Sequence, residues 1–170
     1  MTLDPVAAAF DALVAGLDAP LVVVTTAADG ERAGCLVGFH SQSSIEPRRA
    51  AVWLSKANRT YRVALGASHV AVHALTVADG AVAAHFGGET GDEVDKFAGL
   101  AWSEGPGGVP LLDACPHRVV LARVTLLDEG GDHVLLTGAP VLAQSPGAFT
   151  PLRLGDVEGH VHPGHPAHEA

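Results

Sequence analysis

Ser55, Lys56, Asn58 and Thr60 crowd into the segment SKANRTY, residues 55–61. Two hydroxyls, a carboxamide and an ammonium stand where a β-branched run ends and a helix is expected to begin. Unpaired backbone N–H groups at a helix start, beside such side chains, hold a phosphate dianion. The same residues also make an ordinary helix cap with surface charge, and the spacing alone leaves both readings open.

Ten histidines are the other chemical resource, and His160, His162, His165 and His168 crowd the C-terminal stretch. Imidazole suits zinc, copper and nickel. Pro163 and Pro166 deny a helical i,i+4 pair, and no ordered Cys or carboxylate accompanies the tract, so a dedicated metal site is not expected. His69 and His73 alternate on one strand face, as half-buried or interface histidines do. His85, beside Phe86, ends a short helical piece and is a candidate for a ligand contact. Asp92, Glu93 and Asp95 complete a helix start. No Gly-x-Ser-x-Gly turn presents a nucleophile, and no Gly-x-Gly-x-x-Gly follows a strand, which excludes a Rossmann nicotinamide domain.

The chain that must position these groups has 170 residues and a formal net charge of -9. That length suits one domain with a sizeable core. An acidic chain without a basic cluster is poorly suited to phosphate backbones or anionic membranes. Cys35 and Cys115 lack C-x-x-C spacing and read as small buried hydrophobes of a reducing compartment. The N-terminal stretch carries Asp4 and Asp11 and no basic region, so it does not read as a signal peptide. No apolar run approaches the ~20 residues that span a bilayer. A soluble, cytoplasmic protein is expected.

Asp4 and Pro5 cap a helix over residues 5–17, with Phe10, Leu13, Val14 and Leu17 at helical spacing. LVVVTT, an Asp29-Gly30 turn and RAGCLVGF predict a hairpin. A polar loop, HSQSSIEPRR, precedes a strand at 50–55, and Asn58 or Thr60 caps the short helix after it. Residues 68–75 alternate as a strand, 78–86 and 91–97 read as short helical pieces, and SEGPGGVP as a loop. Two long strands, 117–127 and 133–142, follow. The class is therefore mainly β, a β-barrel with a few short helices. The domain is expected over 1–143, with a Pro/Gly/His-rich arm or loose tail over 144–170.

The run PLVVVTTAADGERAGCLVGFHSQSSIEPRRAAVWLSKANRTY resembles the flavin reductase-like, FMN-binding split-barrel family. Gly34 to Pro47 lines up without a gap with that family's Gly-x-Thr-Val-Ser-Ser strand end and Ser-x-x-Pro-Pro. Lys56-x-Asn58-x-Thr60 follows at its Lys-x-Ser-x-Thr position. The blocks AAHFGGETGDEVDKFAG, GVPLLDAC and GGDHVLLTGAPV continue the resemblance, which covers about residues 18–143. Leu36, Gly38 and Phe39 stand where the family has Thr and two Ser, Arg48 where it has a second Pro, and Asn58 where it has Ser.

The resemblance implies an NAD(P)H-dependent flavin reductase, a homodimer with FMN, or FAD in its place, near the dimer interface. NADH or NADPH delivers hydride, and a partner monooxygenase is one destination of the reduced flavin. It places Val37, Gly38, Phe39 and His40 against the ring and ribityl chain, and Ser43 and Ser44 at the ring's polar edge. Ser55, Lys56, Asn58 and Thr60 fall at the phosphate, His133 on the nicotinamide side as the catalytic candidate. The alternative is a flavin- or deazaflavin-binding protein without reductase turnover.

Overall fold

The computed structural model describes residues 4–161. Helix α1 spans Pro5–Leu17; Asp4 Oδ1 accepts from the Val6 N–H at 2.9 Å, and Pro5 occupies the first turn. Its apolar stripe stays exposed: Val6, Phe10, Leu13 and Leu17 are all uncovered, and the helix buries no residue.

Nine strands follow among the described residues: β1 Val22–Ala28, β2 Glu31–Val37, β3 His40–Ser44, β4 Arg49–Ser55, β5 His69–Ala74, β6 Trp102–Glu104, β7 Pro110–Leu112, β8 Arg118–Leu127 and β9 His133–Gln144. Helices α2 Arg59–Gly66, α3 Gly80–Gly88 and α4 Leu154–Val157 are interspersed. The main sheet has seven antiparallel strands in the order β2-β1-β5-β8-β9-β4-β3.

That order forces curvature. β2 ends at Val37 and β3 begins at His40, yet they are the two edges of the sheet. Three Cα steps reach at most about 11 Å. Seven flat strands would hold their edges about 29 Å apart. The sheet therefore curls until its edges almost meet, the mostly β half-barrel of the split-barrel folds.

Alternation along β1 serves both faces. Val22 and Val24 point into the barrel with Cys35, Val37, Val52, Leu54 and Leu136. Leu21 and Val23 point outward, beneath Phe86 of α3, Phe97, Leu152 and Val157. Burial on both faces is why the run reads as continuously β-branched rather than alternating. Gly34 is needed on the outer face, since a Cβ there would lie 2.8 Å from the Phe86 ring.

Several expectations are corrected. The polar run after Phe39 contains β3, whose hydroxyl-rich residues have low strand propensity but pair with β4 from His40 to Ser44. Residues 91–97 form turns instead of a helix. The SEGPGGVP stretch is bracketed by the small β6-β7 sheet and holds one 3-10 turn, Pro106–Gly108. The boundary at 143 falls inside the end of β9. Over residues 144–161 the expected loose tail folds back: Pro151 and Arg153 bridge to Thr76 and Pro20, and Leu152 and Val157 are buried. Two isolated apolar residues are too few to show a period, which is why composition misreads this segment. His162, His165 and His168 lie outside the described residues.

Candidate active site

The segment from Ser55 to Thr60 turns from β4 into α2, and its side chains diverge. Ser55 Oγ accepts from the Ala57 N–H at 3.3 Å. Lys56 is drawn to the β8–β9 connection: its N–H donates to Asp132 O at 2.9 Å and its Nζ pairs with Asp128 at 3.0 Å. Asp128 sits below the usual carboxylate range, chiefly through the Gly130 N–H and then through Lys56. Asn58 is the N-cap residue of α2 in extended conformation. Thr60 is buried and hydrogen-bonded to the Cys35 thiol, which burial pushes up. The sequence therefore places four polar residues together that the fold gives four separate tasks.

Asn58, Arg59 and Thr60 open onto a groove of about 400 Å³ between the start of α2, the first half of β2 and the 91–97 turns. Its charge comes from residues that motif reading passed over. Arg59 pairs with Glu31 at 3.0 Å and Arg32 with Asp95 at 3.1 Å. The Arg32 guanidinium lies over the Trp102 ring, 5.2 Å from its centroid. Asp95 is held low by the Phe97 N–H first and Arg32 next. Lys96 is buried at the groove floor, donating from Nζ to Phe86 O at 2.8 Å and Gly34 O at 3.3 Å. Burial depresses its pKa, because a desolvated ammonium is disfavoured. Arg59 was visible inside SKANRTY; Arg32 and Lys96 carry no local signal beyond their blocks.

The ring-side candidates gather at the seam between β2 and β3. Val37 is buried in the barrel, and Gly38 lies over Leu21 with room for a Cβ at 3.6 Å. Phe39 is 54% exposed, and its backbone carbonyl accepts from the Trp53 N–H at 2.9 Å. Its ring meets the His133 imidazole with centroids 5.0 Å apart and planes tilted by 57°. His133 opens β9 opposite Ser55, and its Nδ1 contacts Asp132 Oδ1 at 2.8 Å. His40 Nε2 is fixed on Pro20 O at 2.8 Å. Ser43 and Ser44 line a separate shallow surface with Ile45 and Glu46. Thus Phe39, His133 and Ser55 are brought together, while Ser43 and Ser44 sit at the sheet edge.

His85 lies on α3, against the 91–97 turns that line the groove. Its Nε2 contacts Lys96 O at 2.7 Å, its Nδ1 lies 3.6 Å from Glu89, and its ring stands edge-on to Phe86. Those contacts tie α3 to the 91–97 turns. His73 is fully buried: the Leu112 N–H donates to Nε2 at 3.1 Å, so Nδ1 carries the proton toward Val23 O at 3.2 Å. Burial lowers its pKa to about 4. His69, half-buried, shares a hydrogen bond with Ser68.

The sequence profile of the Flavin reductase like domain matches residues 14–162. The chain belongs to that family. It is 30% identical over 126 residues to a ferric-chelate reductase (NAD(P)H) of Archaeoglobus fulgidus, across 73% of this chain and 74% of the relative. It is 28% identical over 119 residues to HsaB, the reductase subunit of a flavin-dependent monooxygenase of Mycobacterium tuberculosis, across 70% of this chain. The match spans 62% of HsaB. Among solved structures, the NADH:FAD oxidoreductase SgcE6 of Streptomyces globisporus superposes with a TM-score of 0.75 at 24% identity, covering 89% of this chain and 90% of SgcE6. Among the described residues, no helix is long and apolar enough to cross a membrane.

Proposed function

We propose that this flavin reductase-like chain is an NAD(P)H-dependent flavin reductase that works as a homodimer in the cytoplasm. The observation that carries the reading is the end of β4, where Ser55 pairs with His133, whose ring meets Phe39, and from which the chain turns into the start of α2. A groove lined by Arg32, Arg59 and Lys96 together with the carboxylates Glu31, Asp92, Glu93 and Asp95 opens at the start of α2, and the Phe39–His133 wall stands at the end of the β4 strand that precedes it.

The donor set fits a flavin phosphate. Asn58, Arg59 and the first N–H groups of α2 would hold the anion, with Arg32 and Lys96 adding positive potential. The backbone of Val37, Gly38, Phe39 and His40 would border the ring and ribityl chain. Backbone donors survive the replacement of the family's Thr and Ser by Leu36, Gly38 and Phe39. Leu36 packs against the outer core cluster, so its loss of a hydroxyl falls on the core side. Bound flavin, FMN or FAD, supplies the hydride-accepting chemistry. The chain's task is then placement and exclusion of water. Asp132 orients the His133 imidazole, and His133 and Phe39 form the wall against which a planar nicotinamide rests. No general base is required of the protein.

The dimer reading draws support from what Phe39 and Ile45 leave open. Both are exposed apolar residues beside the ring-side seam, 54% and 80% uncovered, and a second protomer would cover them. The monooxygenase partner draws support from the name of HsaB, and Cys35 and Cys115, both free and buried, suit a reducing compartment. Purified protein loaded with flavin and mixed anaerobically with NADH or NADPH tests the reading. Bleaching of the flavin absorption is expected; a spectrum that stays oxidised with both reductants overturns reductase activity and favours a flavin carrier.

A further inference from the structure

Helix α1 turns outward an apolar stripe that its own chain leaves uncovered. Val6, Phe10, Leu13 and Leu17 follow one another at intervals of 4, 3 and 4 residues, the spacing of a coiled-coil seam. All four stay largely exposed, from 63% for Phe10 to 75% for Val6. The root of the helix is nevertheless fixed. Asp18 O accepts from Arg153 Nη1 and Asp18 Oδ1 from the Gly155 N–H, both at 2.8 Å. The Leu154 N–H donates to Ala19 O at 3.0 Å. Pro20 O then meets His40 Nε2 at 2.8 Å, so the root of α1 abuts the residue that follows Phe39. Resting on the homodimer reading above, we infer that α1 pairs along this seam with α1 of a second copy of the chain, as a strap across the dimer.

The seam and its flanks select that partner. Ala7, Ala9, Val14 and Gly16 border it, all uncharged and mostly small, so two such helices approach without like charges meeting. Asp4 and Asp11 lie on the far side, and α1 has no Lys or Arg to grip an anionic membrane. A stripe this narrow fits another seam better than a broad apolar groove. Among the described residues, the longer helices α2 and α3 already bury Ala64 and Phe86 in the core clusters of the sheet. The matching seam is therefore that of a second α1. Thirteen residues make a marginal helix in isolation, so each α1 also steadies the other. A helix about 20 Å long covers less than the roughly 800 Å² per partner of a stable interface. The strap accordingly adds to the face around Phe39 and Ile45 instead of replacing it.

Sedimentation of the full chain over a dilution series tests the inference, with Leu13→Glu and Leu13→Lys in the seam and Ala8→Glu on the far side of α1. The helix buries no residue, so these substitutions spare the core. Leu13→Glu and Leu13→Lys should each raise the dimer dissociation constant at least about tenfold, while Ala8→Glu leaves it unchanged. An equimolar mixture of the two Leu13 variants should regain tight association, because opposite charges then meet across the paired seams. A wild-type dimer that Leu13→Glu does not weaken, or that Ala8→Glu weakens as much, overturns the pairing and leaves the homodimer standing. Weakening that the mixture does not reverse overturns it too, assigning the seam to another surface of the second copy. A wild type that stays monomeric throughout overturns the homodimer reading and the strap with it.

Discussion

Phe39 and His133 lie more than ninety positions apart in the sequence, yet their rings meet at 5.0 Å. One belongs to the link between the two edge strands of the sheet and the other opens β9. Phe39 and His133 flank the end of β4 from either side, and their contact is also the wall proposed for the nicotinamide.

Replacing His133 by Ala should therefore raise the KM for NADH several-fold with little change in flavin affinity. Replacing Phe39 by Ala should weaken flavin as well. Steady-state kinetics paired with flavin titration separates the two. A His133→Ala enzyme with wild-type KM would remove His133 from the nicotinamide side.

The Lys56–Asp128 pair offers a test of the phosphate assignment by release instead of removal. In Asp128→Asn the Lys56 ammonium loses its partner and becomes available to an anion. FMN should bind a few-fold more tightly, with riboflavin unchanged, and the gain should shrink as salt is added. An equal effect on riboflavin would show that Lys56 does not reach the phosphate.

His73 couples folding to acid. Its pKa in the folded protein is about 4 against 6.5 for an ordinary histidine, so between those values the unfolded chain binds a proton that the folded chain refuses. Stability is full above pH 6.5 and falls as pH drops toward 4, by up to about 3 kcal/mol from this group. Denaturant melts from pH 7 to pH 4 should show that loss, and His73→Gln should flatten it while lowering stability throughout.

Leu152 sits with Val23 and Phe86 in the outer core, held by its N–H on the Leu75 carbonyl and by its carbonyl on the Leu21 N–H. Leu152→Ala is expected to cost about 2–5 kcal/mol. A thermal melt within a degree of the wild type would mean that this segment is dispensable.

Gly34→Ala tests the other side of the same cluster. The new methyl would meet the Phe86 ring at 2.8 Å, and overpacking of that kind costs about 1–3 kcal/mol. The strain would fall on the strand whose carbonyl Lys96 holds, so flavin affinity should decline along with the melting temperature.

Much of this was legible in the residues. α1 is bounded by its Asp-Pro start, the β1–β2 hairpin by Asp29-Gly30, and the long β8 and β9 by their Val- and Leu-rich runs on either side of the DEGGD turn. What escaped was structure held by partners distant in sequence. β3 is made of Ser, Gln and His and exists because β4 lies beside it. The short β6 and β7 are too brief to show a period. At the site, the small polar residues of SKANRTY were conspicuous, whereas Arg32 and Lys96 gain meaning only when the 91–97 turns fold against β2. A motif announces itself locally; a charge borrowed from another loop does not.

The order of strands has a consequence for assembly in time. β3 and β4 can join the rest of the sheet only through β9, and Ser55 pairs with His133 after about 80 intervening residues. Pairings of such separation carry a heavy loop-closure cost and slow folding. The wall of Phe39 and His133 is made by that same union, so an early, half-sealed chain has no site. Catalytic competence should arrive with the last strand, and the appearance of flavin binding during refolding would clock the closing of the barrel.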